Sequence, residues 1–170
     1  KEGISLINGT QFSTALAIKA INQSQVILES ADIIGALSVE SSFSSREVFN
    51  PKIHALKLHK GQNCSARNVW NILIDSDIVK SHIGCNKVQD PYSFRCIPHV
   101  HGASRDIVNK AGDIINNEIN SVSDNPLIFS DKDIFSSGHF HAEHIAQSMD
   151  SVGIAISEIG AISQKRIHYF

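Results

Sequence analysis

Apolar residues recur at three- and four-residue spacings along three long stretches of the chain, and this periodicity is typical of amphipathic helices. The stretches cover residues 13 to about 40, about 99 to 121, and about 141 to the end. In the first stretch the apolar positions span so wide an arc that we expect the helix to be largely buried. These positions are Leu16, Ala20, Val26, Ile27, Ala31, Ile34, Leu37 and Val39.

Two shorter helices are predicted between the first two long ones. Residues 46–58 form a candidate that Pro51 interrupts, and residues 65–80 form another. Residues 80–98 lose the helical periodicity. Irregular segments that rigid helices hold in place often carry binding groups, so residues 80–98 are a candidate binding segment.

Residues 124–138 contain the one hairpin signal in the sequence. Two short apolar runs, 127–129 and 134–135, are joined by the polar turn Ser-Asp-Lys-Asp. We therefore predict a mainly α fold, a bundle of long helices with a short β-hairpin near residues 127–136, in one helical unit of residues 1–170. Long buried helices need more packing partners than so short a chain supplies, so we expect further chain or further subunits.

Composition and charge narrow the range of partners. The 170 residues are 42% hydrophobic and 19% charged, with 15 Lys and Arg against 17 Asp and Glu. This balance offers no basic stripe for nucleic acid and no polybasic patch for a membrane surface, so we expect neither partner. No apolar run approaches the roughly 20 residues that cross a bilayer. The three cysteines lack a Cys-x-x-Cys spacing, which argues against a disulfide framework and favours a reducing cytoplasm.

The segment VQDPYSFRC, residues 88–96, places Gln89, Tyr92 and Arg95 close together around a proline. The planar guanidinium of Arg95 can bind a carboxylate through two hydrogen bonds, whereas a lysine offers only a point charge. Tyr92 can share a proton beside such a ligand, and the Gln89 amide can both donate and accept. On the pattern alone, a turn at Asp90 with a packed tyrosine and a structural ion pair of Arg95 is the commoner outcome.

A second candidate is LINGT, residues 6–10, which precedes the first long helix. The side-chain amide of Asn8 and backbone N–H groups near Gly9 can face a ligand, because glycine permits close approach and helix N-termini favour anions. An ordinary turn followed by a helix cap explains the same residues and is the commoner outcome of this pattern.

The segment GHFHAEH, residues 138–144, invites a metal interpretation. His141 and His144 are three residues apart with Glu143 between them, and His99 and His101 could supply further nitrogen ligands. Two other interpretations stay open. The histidines can pack or cap a helix, or the segment can form the wall of an active site without metal, with Phe140 as its apolar surface.

Four segments, in this order, resemble motifs of the aromatic amino acid ammonia-lyases, and within that family most closely the histidine ammonia-lyases. They are LINGT (6–10), KVQDPYSFRC (87–96), NSVSDNPLIF (120–129) and SGHFHAEHIA (137–146). HKGQ, residues 59–62, is similar to a weaker fifth motif. The FHAE run favours the histidine branch over the phenylalanine and tyrosine lyases.

The resemblance implies elimination of ammonia from an amino acid substrate, which turns L-histidine into urocanate in histidine catabolism. Family members use an electrophile, methylidene-imidazolone, that forms from an Ala-Ser-Gly triplet, and they need no metal. The resemblance further implies that Arg95 binds the substrate carboxylate and that Asn8 hydrogen-bonds near that carboxylate and the electrophile. Gln89 and Tyr92 would line the site and orient the prosthetic group, and Phe140 would pack against it. A homotetramer is also implied, in the cytoplasm that the cysteine pattern favours.

Several features depart from the family pattern. His139 stands where asparagine is expected, and His144 and Lys60 each stand where proline is expected. The 170 residues contain no Ala-Ser-Gly triplet, and the family's triplet would precede LINGT. We therefore expect a central segment of a longer lyase that releases no ammonia from histidine by itself.

Two functions from other classes remain open on the sequence. One is a non-catalytic helical oligomerisation scaffold that descends from a lyase, since self-association can persist without chemistry. The other is a His-rich metal-binding protein centred on His139, His141 and His144.

Overall fold

The computed structural model describes residues 2–170, and most of them are helical. A two-stranded antiparallel sheet interrupts the helices, with Leu127 opposite Phe135 and Ile128 opposite Ile134. The predicted mainly α fold with a short hairpin is therefore confirmed. In chain order the elements are α1 (Glu2–Ile7), α2 (Gln11–Ser41), a 3₁₀ turn (Glu47–Phe49), α3 (Pro51–His54), α4 (Lys60–Ile72), α5 (Asp77–Ser81), α6 (Tyr92–Arg95), α7 (Ile97–Ile119), β1 (Leu127–Ile128), β2 (Ile134–Phe135) and α8 (Glu143–Ile167).

The three long helices occur where the apolar periodicity predicts them, within about two residues at their starts. Helix α7 begins at Ile97 with Pro98 in its first turn, where the missing N–H of proline costs no helical hydrogen bond. This helix lies at the centre of the bundle, because α2, α4 and α8 all pack against it. Its buried residues join two apolar clusters, one towards each end of the helix.

The first long helix, α2, is less buried than its sequence predicts. Leu16, Val26, Ile27, Ile34 and Leu37 are all exposed. The reason is that the described chain covers α2 on one face, the face towards α4, α7 and α8. The apolar residues that are buried on that face are Ala17, Ile21, Leu28, Ala31, Ala36 and Val39.

The shorter elements differ more from the prediction. The candidate over 65–80 is two helices, α4 and α5, because the Ser76 hydroxyl accepts the Val79 N–H and starts a new helix. The candidate over 46–58 is a 3₁₀ turn followed by α3, and the Asn50 side chain caps α3 by accepting the Lys52 N–H. The predicted irregular segment contains one helical turn, α6. No helix within residues 2–170 combines the length and the apolar character needed to span a bilayer.

Helices α4 and α7 cross at two glycines, Gly61 and Gly102. A Cβ at Gly102 would overlap the backbone of Gln62, and a Cβ at Gly61 would overlap the carbonyl oxygen of Gly102. The Gly61 N–H also donates to the Asp106 carboxylate on α7, at 2.8 Å. The glycine in HKGQ is therefore required by the close approach of two helix backbones.

A buried polar network joins α2, α4 and α7 around Asp32, which is 1% exposed. Its carboxylate accepts from His101 Nδ1 at 2.9 Å, from Arg105 Nη2 at 2.8 Å and from Asn68 Nδ2 at 2.8 Å. Burial alone would raise the pKa of Asp32, but the hydrogen bonds from His101 and Asn68 and the charges of His101 and Arg105 together lower it. Asp32 therefore stays ionised and holds the first half of α7 against its neighbours.

Substitution at the helix crossing should separate backbone contact from helix propensity. We expect Gly102→Ala to lower the free energy of unfolding by about 3 kcal/mol, because the new methyl group meets backbone that cannot move aside cheaply. The control is Gly112→Ala on the same helix, whose new Cβ would meet only Ile21 Cγ2 at 3.8 Å. Gly112→Ala should leave stability unchanged or raise it by up to about 1 kcal/mol. Equal denaturation midpoints for the two variants would contradict the crossing argument.

The buried carboxylate should make stability depend on pH. Since the pKa of Asp32 is lowered in the folded state, its contribution is present above the unfolded pKa of about 3.9 and is lost as pH falls through the folded value. We expect Asp32→Asn to cost about 3 kcal/mol at pH 7, and the difference from wild type to shrink below about pH 4. Thermal unfolding from pH 7 to pH 2 measures this, with the exposed Asp113→Asn as control. A difference that is constant with pH would exclude Asp32 as the titrating group.

Candidate active site

The residues singled out from the sequence fall into two groups at opposite ends of α7. Gln89, Tyr92 and Arg95 precede its N-terminus, and we call them the arginine group. Asn8 and Phe140 lie beyond its C-terminus, and we call them the asparagine group. Helix α7 has 23 residues, which at 1.5 Å per residue is about 34 Å. One copy of the chain therefore does not bring Asn8 to Arg95.

Asp90 fixes the segment that carries the arginine group. Its side chain is buried, and its carboxylate accepts the Ser45 N–H at 2.8 Å. Lys87 Nζ lies 3.9 Å from the same carboxylate and donates to the Ser42 carbonyl oxygen at 2.9 Å. The segment is thus tied to the chain that follows α2, and α6 starts directly after it with Pro91 as its N-cap residue.

Arg95 is oriented by its own segment. Its Nε donates to the carbonyl oxygen of Asp90 at 2.6 Å, and Cζ lies 5.2 Å from the centroid of the Tyr92 ring. Within residues 2–170 the two terminal nitrogens of Arg95 have no hydrogen-bond partner. They form the end-on edge of the guanidinium, which matches the two oxygens of a carboxylate.

Two members of the arginine group border a cleft of about 530 Å³ between the segment that follows α2 and the segment around α5. Gln89 and Arg95 line it, and the Tyr92 side chain is 76% exposed beside them. Four cationic side chains line the cleft against two carboxylates, Glu47 and Asp90, so its charge balance favours an anionic ligand. The four cations are Arg46, Lys80, Lys87 and Arg95.

The asparagine group is held by the last turn of α7 and by the segment that follows it. The Asn8 amide Nδ2 donates to the Asp124 carboxylate. Two residues further on, the buried Thr10 hydroxyl donates to Glu118 Oε1 at 2.6 Å. Gly9 has φ of +97°, and a side chain there would also crowd Ser123 and Asp124, so this turn requires glycine. The motifs LINGT and NSVSDNPLIF thus form one structural unit.

Phe140 belongs to the same unit through its neighbour His139. The carbonyl oxygen of His139 accepts the Asp124 N–H at 3.0 Å, and the His139 ring nitrogen Nδ1 lies 2.8 Å from the Ser137 hydroxyl. The Phe140 ring is 46% exposed. The asparagine group therefore combines an exposed amide and an exposed aromatic ring, and both can contact a ligand.

The histidines proposed as metal ligands contact different residues and do not converge on one point. His101 faces Asp32 in the core, and His99 stacks at a tilt against His54, with ring centroids 5.6 Å apart. His141 Nδ1 lies 3.9 Å from Glu143. Within residues 2–170 no three side chains of His, Cys, Asp or Glu are arranged to hold a metal ion.

Three carboxylates that hold the site residues could not be identified from the sequence, namely Asp90, Glu118 and Asp124. The local pattern explains Asp90 as part of a turn and indicates no role for Glu118 or Asp124. Two of them stand inside motifs already singled out, so a signal was present. Their partners are 45, 108 and 116 residues away in sequence, however, and no local pattern identifies contacts at that separation.

A family model described as aromatic amino acid lyase matches residues 1–170. The histidine ammonia-lyase of Gloeobacter violaceus is 45% identical over 98% of this chain and 32% of that protein. The histidine ammonia-lyase of Vibrio cholerae is also 45% identical, over 98% of this chain and 33% of that protein. The chain thus spans about a third of the length of the curated relatives it matches.

Solved structures give the same result for the fold. The histidine ammonia-lyase from Trypanosoma cruzi matches with a TM-score of 0.85 at 37% identity, over 98% of this chain and 30% of that one. A tyrosine aminomutase from Streptomyces globisporus matches with a TM-score of 0.89 at 32% identity, over 99% of this chain and 36% of that one. The helical arrangement is therefore common to proteins whose names give different substrates and reactions.

Proposed function

The chain belongs to the aromatic amino acid lyase family, and we propose that it is the central segment of an ammonia-lyase that converts L-histidine into urocanate. The identity to histidine ammonia-lyases supports this choice of substrate. The observation that carries the chemistry is Arg95, whose Nε is held by a backbone oxygen while its terminal nitrogens have no hydrogen-bond partner within residues 2–170. Every α-amino acid substrate presents a carboxylate that such an edge can bind.

The arginine group binds and orients the substrate in this proposal. Arg95 takes the carboxylate end-on, because its Nε is already engaged. Tyr92 and Gln89 line the site beside it, where the exposed phenol can hold or pass a proton at Oη and the amide can donate or accept. Holding the carboxylate in one orientation places the reacting carbons near the groups that act on them, which removes part of the entropy cost of the reaction.

The asparagine group serves the prosthetic group. The family's methylidene-imidazolone is a planar heterocycle with polar atoms at its edge, and it supplies an electrophile when present. An exposed Phe140 ring and an exposed Asn8 amide suit such a group, because the ring can pack on its face and the amide can hydrogen-bond its edge. The 170 residues contain no Ala-Ser-Gly triplet, so we infer that another part of the enzyme supplies it.

The enzyme is a homo-oligomer in this proposal, a tetramer in the cytoplasm, and its sites combine residues from more than one copy. Two observations support association of copies with sites shared between them. The two groups lie about 34 Å apart along α7 within one chain, too far to contact one substrate. Helix α2 also exposes large apolar side chains, and a groove of about 550 Å³ with a mostly apolar lining runs between α2 and α8.

Exchange of arginine for lysine tests the carboxylate contact. We expect Arg95→Lys to lower kcat/KM for L-histidine by roughly tenfold to a hundredfold, because lysine keeps the charge but loses the paired hydrogen bonds. The control is Arg67→Lys on the exposed side of α4, which should change kcat/KM by less than about twofold. The measurement is steady-state ammonia release by the natural full-length protein. An unchanged kcat/KM in Arg95→Lys would remove Arg95 from the site.

Mixed oligomers test whether sites are shared between copies. We expect Asn8→Ala and Arg95→Ala each to have little activity alone, because each removes one group from every site. Co-expressed in equal amounts, they should recover up to about a quarter of wild-type activity, since about one in four random combinations leaves both residues intact.

The matched control for the mixture is Asn8→Ala co-expressed with the double variant Asn8→Ala, Arg95→Ala. This mixture contains no intact Asn8 and should stay at the single-variant level. A first mixture that is no more active than its components would exclude sites shared between Asn8 and Arg95 of different copies.

A further inference from the structure

Asp124 adopts a backbone conformation that residues other than glycine rarely adopt. Its φ is +86°, in the left-handed region, where aspartate and asparagine are tolerated better than other residues. Such conformations cost free energy and persist when the surrounding contacts determine them, often at functional sites. The contacts of Asp124 therefore indicate what this strained backbone holds in place.

Three of the four motif segments meet at Asp124. Its carboxylate accepts from Asn8 Nδ2, and its N–H donates to the carbonyl oxygen of His139 at 3.0 Å. Its Cβ lies 3.3 Å from the position that a Cβ on Gly9 would occupy, so the close approach depends on glycine there. One residue thus connects the turn before α2, the segment after α7 and the segment that carries Phe140.

The carboxylate also decides which way the Asn8 amide points. An ionised carboxylate only accepts hydrogen bonds, so it can face the NH₂ side of the amide and not its oxygen. With Nδ2 held in this way, the Asn8 oxygen and its second N–H point away from Asp124. Asn8 is exposed and its side chain has no other hydrogen-bond partner within residues 2–170, so without Asp124 the amide could rotate and flip.

We propose that Asp124 is a positioning residue that sets the orientation of the Asn8 amide towards substrate and prosthetic group. This inference rests on the proposed function. It differs from a role in folding, because Thr10 and Glu118 already fix the same turn through a buried hydrogen bond. Asp124 instead fixes the orientation of the Asn8 side-chain amide, because its carboxylate accepts the hydrogen bond from Asn8 Nδ2.

The test separates the carboxylate from the backbone by two substitutions in the full-length enzyme. Asp124→Gly keeps the left-handed conformation but removes the carboxylate, and Asp124→Asn keeps both the conformation and an acceptor. We expect kcat/KM for L-histidine to fall roughly tenfold to a hundredfold in Asp124→Gly and less than about threefold in Asp124→Asn. Asp131→Gly, which removes an exposed carboxylate from the turn between β1 and β2, is the matched control and should not change kcat/KM.

A double-mutant cycle with Asn8→Ala isolates the positioning role. If Asp124 acts through Asn8, adding Asp124→Gly to Asn8→Ala should cost less than about twofold further. A crystal structure of Asp124→Gly gives a readout that does not depend on turnover, and we expect the Asn8 side chain in another rotamer or in several. Thermal midpoints of Asp124→Gly and Asp131→Gly should agree within a few degrees.

The outcomes distinguish this inference from the proposed function. Full activity of Asp124→Gly, or an equal loss from Asp124→Gly with and without Asn8, overturns the positioning role while the proposed function stands. An unchanged Asn8 rotamer in Asp124→Gly overturns it as well. A wild-type enzyme that releases no ammonia from L-histidine overturns the proposed function, and the rotamer in the Asp124→Gly crystal structure still tests the link between Asp124 and Asn8.

Discussion

The close approach of α4 to α7 is the constraint on which the rest of the bundle depends. At Gly61 and Gly102 the two backbones touch without side chains between them, and this leaves room for α2 and α8 on the remaining sides of α7. Asp32 then joins the three helices α2, α4 and α7 through one carboxylate with three donors. Because α7 is fixed in this way, the segments at its two ends are both attached to one rigid helix.

The segments at the two ends of α7 are anchored in the same way. At each end a segment outside the long helices carries a polar side chain that can contact a ligand, and an aspartate or glutamate at or near that end of α7 anchors the segment. Asp90 acts at the arginine end through both its carboxylate and its carbonyl oxygen. Glu118 and Asp124 act at the asparagine end through their carboxylates. These polar side chains are therefore oriented before any ligand binds, which lowers the entropy cost of binding.

The long helices and the hairpin could be predicted from the sequence because their signals are local. The spacing of apolar residues and the composition of a turn depend only on residues close in sequence. These two signals were enough to predict α2, α7, α8 and the hairpin. Burial could not be predicted in the same way. Leu16 and Leu37 fit an apolar stripe, yet they are exposed, because burial depends on which face of α2 the other helices cover. The break between α4 and α5 depends on one hydroxyl, that of Ser76, which periodicity does not register.

Arg95, Tyr92, Gln89, Asn8 and Phe140 could be singled out from the sequence as motif residues, but their distribution over two ends of one helix could not. The acceptor that orients Arg95 is a peptide oxygen, that of Asp90. No single substitution can delete a peptide oxygen, so the direction of the guanidinium is a property of the chain path and not of one neighbouring side chain. Side chains around the cleft can therefore be substituted while the orientation of this arginine stays the same.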